Sequence, residues 1–359
     1  MEDVVVIENH EDTTTIKNHK EYCAVDLFKF VCAILVILIH VKPFENVFWI
    51  DAGIGLITRI AVPFFFTISS VFLFKKIGQT NLTSKERDIL FLKYIFRLFV
   101  FYTFWYIVYI FVDAAFDQHF YSFLYYFKNY FFLNNGSILW FLNALLWASS
   151  ITYVLSKFLK FKFVFIISLL FFAVGYVFST LRVLFVGNVA FDAINGSVIN
   201  FIGTQNGLFF AFPYVAMGGI IASKEITYKI KFMILMALAF FAMLAVESLL
   251  CVLVIKSDLT FLWISAIPMT FFVVCLSLKI ELPSNGLYLT MRKISSLLYV
   301  IHILCLKTLV FIWQITNLNG IDSFNILLTV AVIVVSCGIS ICIYLLSRLK
   351  ALRFLRWIM

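Results

Sequence analysis

Three ionisable residues lie along one stripe of the first hydrophobic segment. The segment VDLFKFVCAILVILIHVKPF carries Asp26, Lys29 and His40. At about 100° per residue, Lys29 and His40 are three turns and about 20° apart on a helix, so both side chains point the same way. Ionisable groups are costly in an apolar span and by default mark a functional site that faces the bundle interior or a wet cavity. An imidazole can transfer protons, so this stripe favours an enzyme over a passive anchor.

The ionisable residues of the apolar segments fall into two layers by their predicted depth in the membrane. The outer layer contains His40, Arg59 and Glu247. The inner layer contains Asp26, Lys29 and Arg97. A ninth span places His302 between the layers or slightly above them, and Trp140 and Asn143 lie one turn apart at the outer end of the fourth span.

The composition predicts an integral membrane protein. Apolar residues make up 63% of the 359 positions and charged residues 13%, whereas a soluble domain is about half apolar and a quarter charged. The net charge of +9 comes from Lys and Arg in short loops, so it does not indicate a nucleic-acid partner. The seven Cys lie in or beside apolar runs and form no CxxC pair, so we expect packing residues and neither disulfides nor a metal site.

Hydrophobic runs predict ten spans in one all-α bundle. They cover residues 22–42, 52–74, 92–112, 137–155, 161–180, 206–222, 231–255, 259–279, 294–316 and 325–346. The segment 117–135 is too polar to span and predicts an amphipathic helix in the membrane interface, and 181–205 is the longest predicted loop. The chain thus divides into a polar tail without a cleavable signal peptide (1–21), a transmembrane domain (22–346) and a basic tail (347–359).

Lysine and arginine distribution predicts the orientation. Both residue types concentrate after spans two, four, six and eight and in the C-terminal tail, while the alternate loops are nearly free of them. By the positive-inside rule, both termini are cytoplasmic.

The motifs resemble those of the acyltransferase-3 family of integral-membrane O-acyltransferases. That family carries on its first helix a basic residue, ten intervening residues and a His, usually with an Asp just before, as do Asp26, Lys29 and His40 here. The runs VPFFFTISSVFLFKK, YIFRLFVFY, LWFLNALL and ISSLLYVIH are similar to later family elements and follow in the same order. Ser70 departs from the family, which commonly has Gly at that position.

The resemblance implies transfer of an acyl group, usually acetyl, from cytoplasmic acetyl-CoA to a hydroxyl of a glycan or lipid-linked sugar. Under this hypothesis His40 is the general base and Glu247 orients it. Lys29, Asp26 and Arg97 serve the donor. The acceptor side would then use Arg59, Trp140, Asn143 and His302.

Structural alternatives stay open for each of these residues. Glu247 can pair with Arg59, Lys29 can be neutralised by Asp26 or extend to the headgroups, and His302 can be an interior hydrogen bonder. His40 can cap its helix at the interface. Trp140 can belong to an interfacial aromatic belt.

Two other functions compete with acyl transfer. Buried charges in ten spans also suit a transporter or flippase, although no inverted repeat is visible, and a membrane sensor would bind a ligand without turnover. For the enzyme we expect a multi-pass protein of the cytoplasmic membrane. Its partners would be acyl-CoA, a glycan acceptor and the bilayer, with a homodimer left open.

Overall fold

The computed structural model describes residues 21–117, 121–132, 138–255, 262–315 and 324–357, and within these ranges the chain folds into helices. The α-helices are α1 (Cys23–Val41), α2 (Phe48–Thr58), α3 (Ala61–Ile77), α4 (Ser84–Asp117), α5 (Phe123–Phe131), α6 (Trp140–Ser156), α7 (Phe161–Ser179), α8 (Val189–Ile194), α9 (Asn200–Ile202), α10 (Phe212–Ala222), α11 (Ile230–Leu250), α12 (Ala266–Lys279), α13 (Gly286–Ile315) and α14 (Phe324–Leu346). Short π-helical turns cover Asn195–Ile199, Gly207–Ala211 and Cys251–Ile255, and 3₁₀ turns cover Arg182–Leu184 and Lys350–Trp357. The predicted fold class, an all-α polytopic helix bundle, is confirmed.

Seven of the described helical segments are long and apolar enough to cross a bilayer. An eighth span results if Val189–Ile202 and Gly207–Ala222, which meet at a bend of 91°, are counted together. Helices α6 and α12 are apolar but shorter. The count of ten spans and the cytoplasmic termini stay predictions.

Proline explains where the first helices stop and start. Lys42 adopts a left-handed conformation (φ 50°) and its N–H bonds to the carbonyl of Leu38, which ends α1 just before Pro43. The predicted span 52–74 is divided into α2 and α3 at Arg59 and Ile60. Pro63 lacks the N–H that would bond to the carbonyl of Arg59, which accounts for the interruption.

Helices α3 and α10 pack together unusually closely. A Cβ added to Gly218 would lie 2.6 Å from the Cβ of Ser70 and 2.6 Å from the carbonyl oxygen of Thr67. The Ser70 hydroxyl donates to the carbonyl of Val215 at 2.5 Å. The small residue that lets the two backbones approach is therefore on α10, opposite the position where the family commonly has its glycine.

Helix α13 begins eight residues before the predicted start of its span, at Gly286 instead of 294. Arg292 and Lys293, which the sequence placed in a loop, consequently lie in a helix. The predicted loop 181–205 likewise contains α8, whose first turn is capped by the Asn188 side chain accepting from the N–H of Phe191. In both cases a helix covers residues that hydropathy assigns to a loop.

Helices α1 and α13 pack side by side and run parallel. Near their starts, Asp26 of α1 binds Arg292 of α13, and near the end of α1, His40 contacts His302. We call the end of the bundle where these two helices start the basic end.

Candidate active site

A wide cavity of about 830 Å³ opens at the basic end of the bundle. Six of its lining residues are basic: Lys29, Arg97, Arg292, Lys293, Arg348 and Arg356. Ser296, Tyr344, Ser347 and Trp357 complete the described lining, in which no residue is acidic. Such a concentration of one sign of charge in a cleft attracts anions.

A narrower cavity of about 370 Å³ adjoins the wide one. Lys29, Arg97, Arg292 and Ser296 line both cavities and so mark the boundary between them. The narrow cavity is otherwise lined by Phe65, Ser69, Tyr94, Leu98, Phe101, Phe141, Leu142, Leu145, Ser295 and Tyr299. Residues from each of the five motif segments thus line one space.

Asp26 fixes one of the boundary arginines. The Arg292 guanidinium donates to both carboxylate oxygens of Asp26, with Nε at 2.9 Å from each and a terminal nitrogen at 2.7 Å from Oδ2. The Asp26 side chain is 4% exposed, against 39% for Arg292. The buried carboxylate therefore orients an arginine that still reaches the wide cavity.

Lys29 lies against an aromatic ring at the boundary of the two cavities. Its ammonium is 5.2 Å from the centre of the Phe72 ring. Lys29 and Arg97 both line the boundary, and Asp26 contacts this boundary through Arg292. The structure thus brings the three predicted donor residues together.

Two histidines lie past the end of the narrow cavity that is farther from the basic end. The ring of His302 is 6.3 Å from that of Tyr299, which lines this cavity, and 5.3 Å from that of His40. His302 is fully buried, whereas the His40 side chain is exposed near the end of α1. His302 is therefore one ring beyond the lining of the narrow cavity and His40 is one ring beyond His302, and neither is among the residues that line the two described cavities.

The hydrogen bonds of His302 define its tautomer. Nδ1 is 3.1 Å from the carbonyl oxygen of Leu298 and must carry the proton to donate to it. Nε2 is then a proton acceptor, and it is buried without a hydrogen-bond partner among the described residues. Buried polar atoms are nearly always paired, so this one is available to a ligand.

Glu247 and Arg59 both contact the segment just before α12. The Glu247 carboxylate accepts from the backbone N–H groups of Ile264 and Ser265 at 2.8 and 2.9 Å and from the Tyr176 hydroxyl at 3.3 Å. The Arg59 guanidinium lies 5.5 Å from the Trp263 ring. Both charges thus fasten the residues that precede α12, and the predicted orientation of His40 by Glu247 stays a prediction.

Trp140 and Asn143 also contact scaffold groups. Trp140 packs on Phe210 with ring centres 5.4 Å apart, and the Asn143 amide donates to the carbonyl of Tyr130 at 2.6 Å. The second contact helps hold the short helix α5 on the bundle. Sugar binding by these two residues therefore stays a prediction.

Sequence reasoning missed several residues that line the wide cavity: Arg292, Ser296, Tyr344, Arg348, Arg356 and Trp357. For Arg292 a signal was present, because Arg292, Ser295, Tyr299 and His302 fall within about 80° of one face of a helix. The tail residues carried no such periodic signal.

A family model described as an acyltransferase domain, that of the acyltransferase-3 family, matches residues 24–345. No curated protein and no solved structure matches the chain.

Proposed function

The chain belongs to the acyltransferase-3 family and is a membrane acyltransferase, and from that premise we propose that it is an O-acetyltransferase of the cytoplasmic membrane. In this proposal it moves an acetyl group from cytoplasmic acetyl-CoA to a hydroxyl of a surface or exported polysaccharide or of a lipid-linked glycan. The observation that carries the proposal is the pair of adjoining cavities, basic at the open end and close to two histidines at the other.

The shapes and charges of the two cavities suit the two parts of acetyl-CoA. Its nucleotide carries three phosphate groups, and its pantetheine arm is slender and ends in the thioester. The wide cavity supplies six cationic side chains, four arginines and two lysines, which suit phosphates. The narrow cavity is mostly apolar and aromatic, and it leads from Lys29 to Tyr299. The thioester would then lie beside the histidine pair.

His40 serves as the general base in this proposal. It removes the proton of the acceptor hydroxyl, whose oxygen attacks the thioester carbonyl carbon. The carbon–sulfur bond breaks, the thiolate takes the proton from the imidazolium, and the products are the O-acetyl ester and free CoA. The bare Nε2 of His302, whose ring is 5.3 Å from that of His40, can accept a hydrogen bond from a second donor of the bound acceptor, such as a neighbouring hydroxyl. His302 is therefore assigned to positioning.

A carrier is the second candidate, but the cavities support it less well. A transport pathway would also need buried charge. It would not need a cationic cavity that adjoins a smaller, mostly apolar cavity near two imidazoles.

Replacing His40 tests the reaction. Membranes that hold the chain and an endogenous glycan receive radiolabelled acetyl-CoA, and base-labile label in the glycan is counted. We expect His40→Ala to lower this transfer at least a hundredfold, since general-base catalysis contributes about 10²–10⁴-fold.

Ile39→Ala is the matched control, because Ile39 is the exposed apolar neighbour of His40 in the same helix. It should retain transfer. Full transfer by correctly inserted His40→Ala would refute the base assignment, and movement of solute without any label on glycan would favour the carrier.

A further inference from the structure

The C-terminal segment forms one wall of the wide cavity. After α14 the chain turns and forms the short helical segment Lys350–Trp357. Arg348, Arg356 and Trp357 all line the cavity, together with Tyr344 at the end of α14. Of these four residues, only Tyr344 lies within the 24–345 range that the family model matches.

Two contacts hold this segment between the end of α14 and α4. The Arg356 Nε donates to the carbonyl of Ser347 at 3.2 Å. The Trp357 ring meets the Phe96 ring of α4 edge-on, with centres 6.3 Å apart and planes at 81°. The segment therefore bridges from α14 to α4.

The two tail arginines that line the cavity differ in how many of their N–H groups are already used in hydrogen bonds. Arg348 donates to the Tyr344 hydroxyl at 2.8 Å and lies over its ring. Among the described contacts Arg356 uses Nε alone, so its two terminal nitrogens remain available to an anion. Trp357 is 50% exposed and has ring surface to offer a planar ligand.

The positions of the basic residues indicate which part of an acyl-CoA would lie in each cavity. Lys29, Arg97 and Arg292 line both cavities, whereas Arg356 and Trp357 line only the wide one. An acyl-CoA whose thioester enters the narrow cavity has its pyrophosphate near the boundary. The part farthest from the thioester, an adenine and a ribose 3′-phosphate, then falls beside the tail.

We propose that the C-terminal segment is the binding subsite for the 3′-phosphoadenosine end of a CoA thioester. Arg356 binds the 3′-phosphate through its terminal nitrogens, and Trp357 stacks on the adenine. This inference rests on the proposed function for the identity of the ligand. It gives the tail the task of distinguishing CoA thioesters from short pantetheine thioesters.

Binding to the purified full chain in lipid nanodiscs tests the subsite. The probes are CoA, 3′-dephospho-CoA and pantetheine, each measured by calorimetry. We expect Arg356→Gln to weaken CoA binding about tenfold, the size of one charge-assisted hydrogen bond, and to leave 3′-dephospho-CoA binding unchanged. Trp357→Ala should weaken both nucleotides about tenfold and leave pantetheine unchanged.

Arg353→Gln and Phe354→Ala are matched controls, since both residues lie in the same segment outside the cavity lining. Both should bind CoA as the wild type does. Equal loss in Arg353→Gln, or equal effects of Arg356→Gln on CoA and 3′-dephospho-CoA, would overturn the subsite.

The same titration separates this inference from the proposed function. A wild-type chain that binds CoA with the expected variant pattern, but transfers no acetyl group, would refute only the proposed function. A wild-type chain that binds no CoA would refute both.

Discussion

His302 is the residue whose surroundings are least explained by packing alone. It is fully buried, its Nδ1 is bonded to its own helix, and its Nε2 has no partner among the described residues. Leaving such an atom unpaired costs about 1–3 kcal/mol. A group that arrives with the substrate would satisfy it, which is why we assign His302 to the site.

Two amide substitutions separate the nitrogens of His302. His302→Asn places an amide near Nδ1 and loses Nε2, whereas His302→Gln extends toward Nε2. We expect His302→Asn to lower kcat about tenfold to a hundredfold with little change in the KM for acetyl-CoA, and His302→Gln to recover part of the loss. Equal rates in both variants, or a change in KM alone, would contradict the positioning role.

Asp26 offers a second test, on the donor side. With Asp26→Asn, Arg292 loses its bidentate partner, so we expect the KM for acetyl-CoA to rise about tenfold while kcat changes little. Asp88→Asn is the control, because Asp88 binds Lys157 at 2.5 Å in a pair outside the cavity lining. The double variant Asp26→Asn with Arg292→Gln should show a coupling of about 0.5–3 kcal/mol. Additive effects would mean that Asp26 does not act through Arg292.

The distance between two residues along the helix axis was readable from the sequence where one helix carries both. The spacing from Lys29 to His40 follows from helical geometry, so the inner and outer ends of the site were predicted. The partners of Asp26 and Glu247 were not, since Arg292 and the N–H groups of Ile264 and Ser265 come from distant parts of the chain. Periodicity on one helix says nothing about which neighbour it meets.

At the scale of elements, a close contact between α3 and α10 holds a wall of the narrow cavity in place. Helix α3 supplies Phe65 and Ser69 to the narrow cavity, and its opposite contact is with α10 at Gly218. Two helices in lipid gain stability from close van der Waals contact, which small residues permit. The sequence indicated a changed contact at Ser70 but could not place the compensating glycine.

Gly218→Ala tests this contact. A methyl group 2.6 Å from the Ser70 Cβ requires the helices to separate, so we expect the free energy of unfolding in detergent to fall by about 1–3 kcal/mol. Gly338→Ala is the control, because a Cβ there meets nothing within 4 Å. An unchanged melting midpoint for Gly218→Ala, or an equal fall for Gly338→Ala, would refute the packing argument.

Element boundaries show why hydropathy located the spans but not all of the site. The predicted bounds of the first, fifth and tenth spans agree within one residue with those of α1, α7 and α14. Helix α13 starts eight residues before the predicted span, and Arg292 and Lys293 in this added stretch line the wide cavity. A charged residue that faces a wet cavity costs less than one that faces lipid. Hydropathy cannot distinguish such residues from a loop.

At the scale of the whole molecule, the proposed acetyl transfer requires one connected path from the basic end to the histidines. In the proposed function, an acyl donor would enter the cavities at the basic end and an acceptor would meet the histidines from the opposite side. The C-terminal segment, which composition described only as a basic tail, lines one side of the wide cavity and contacts α4 through Trp357 and Phe96. That position depends on a tertiary contact and could not be read from the tail itself.

Transfer across a sealed membrane is the most direct test of this path. Sealed inside-out vesicles from polysaccharide-exporting cells that hold the chain receive radiolabelled acetyl-CoA outside, and an added esterase removes every exposed ester. The account predicts base-labile label on lumenal glycan that resists the esterase, and none with His40→Ala. Label that appears only on glycan open to the esterase, or only as free acetate or acetyl-CoA in the lumen, would contradict it.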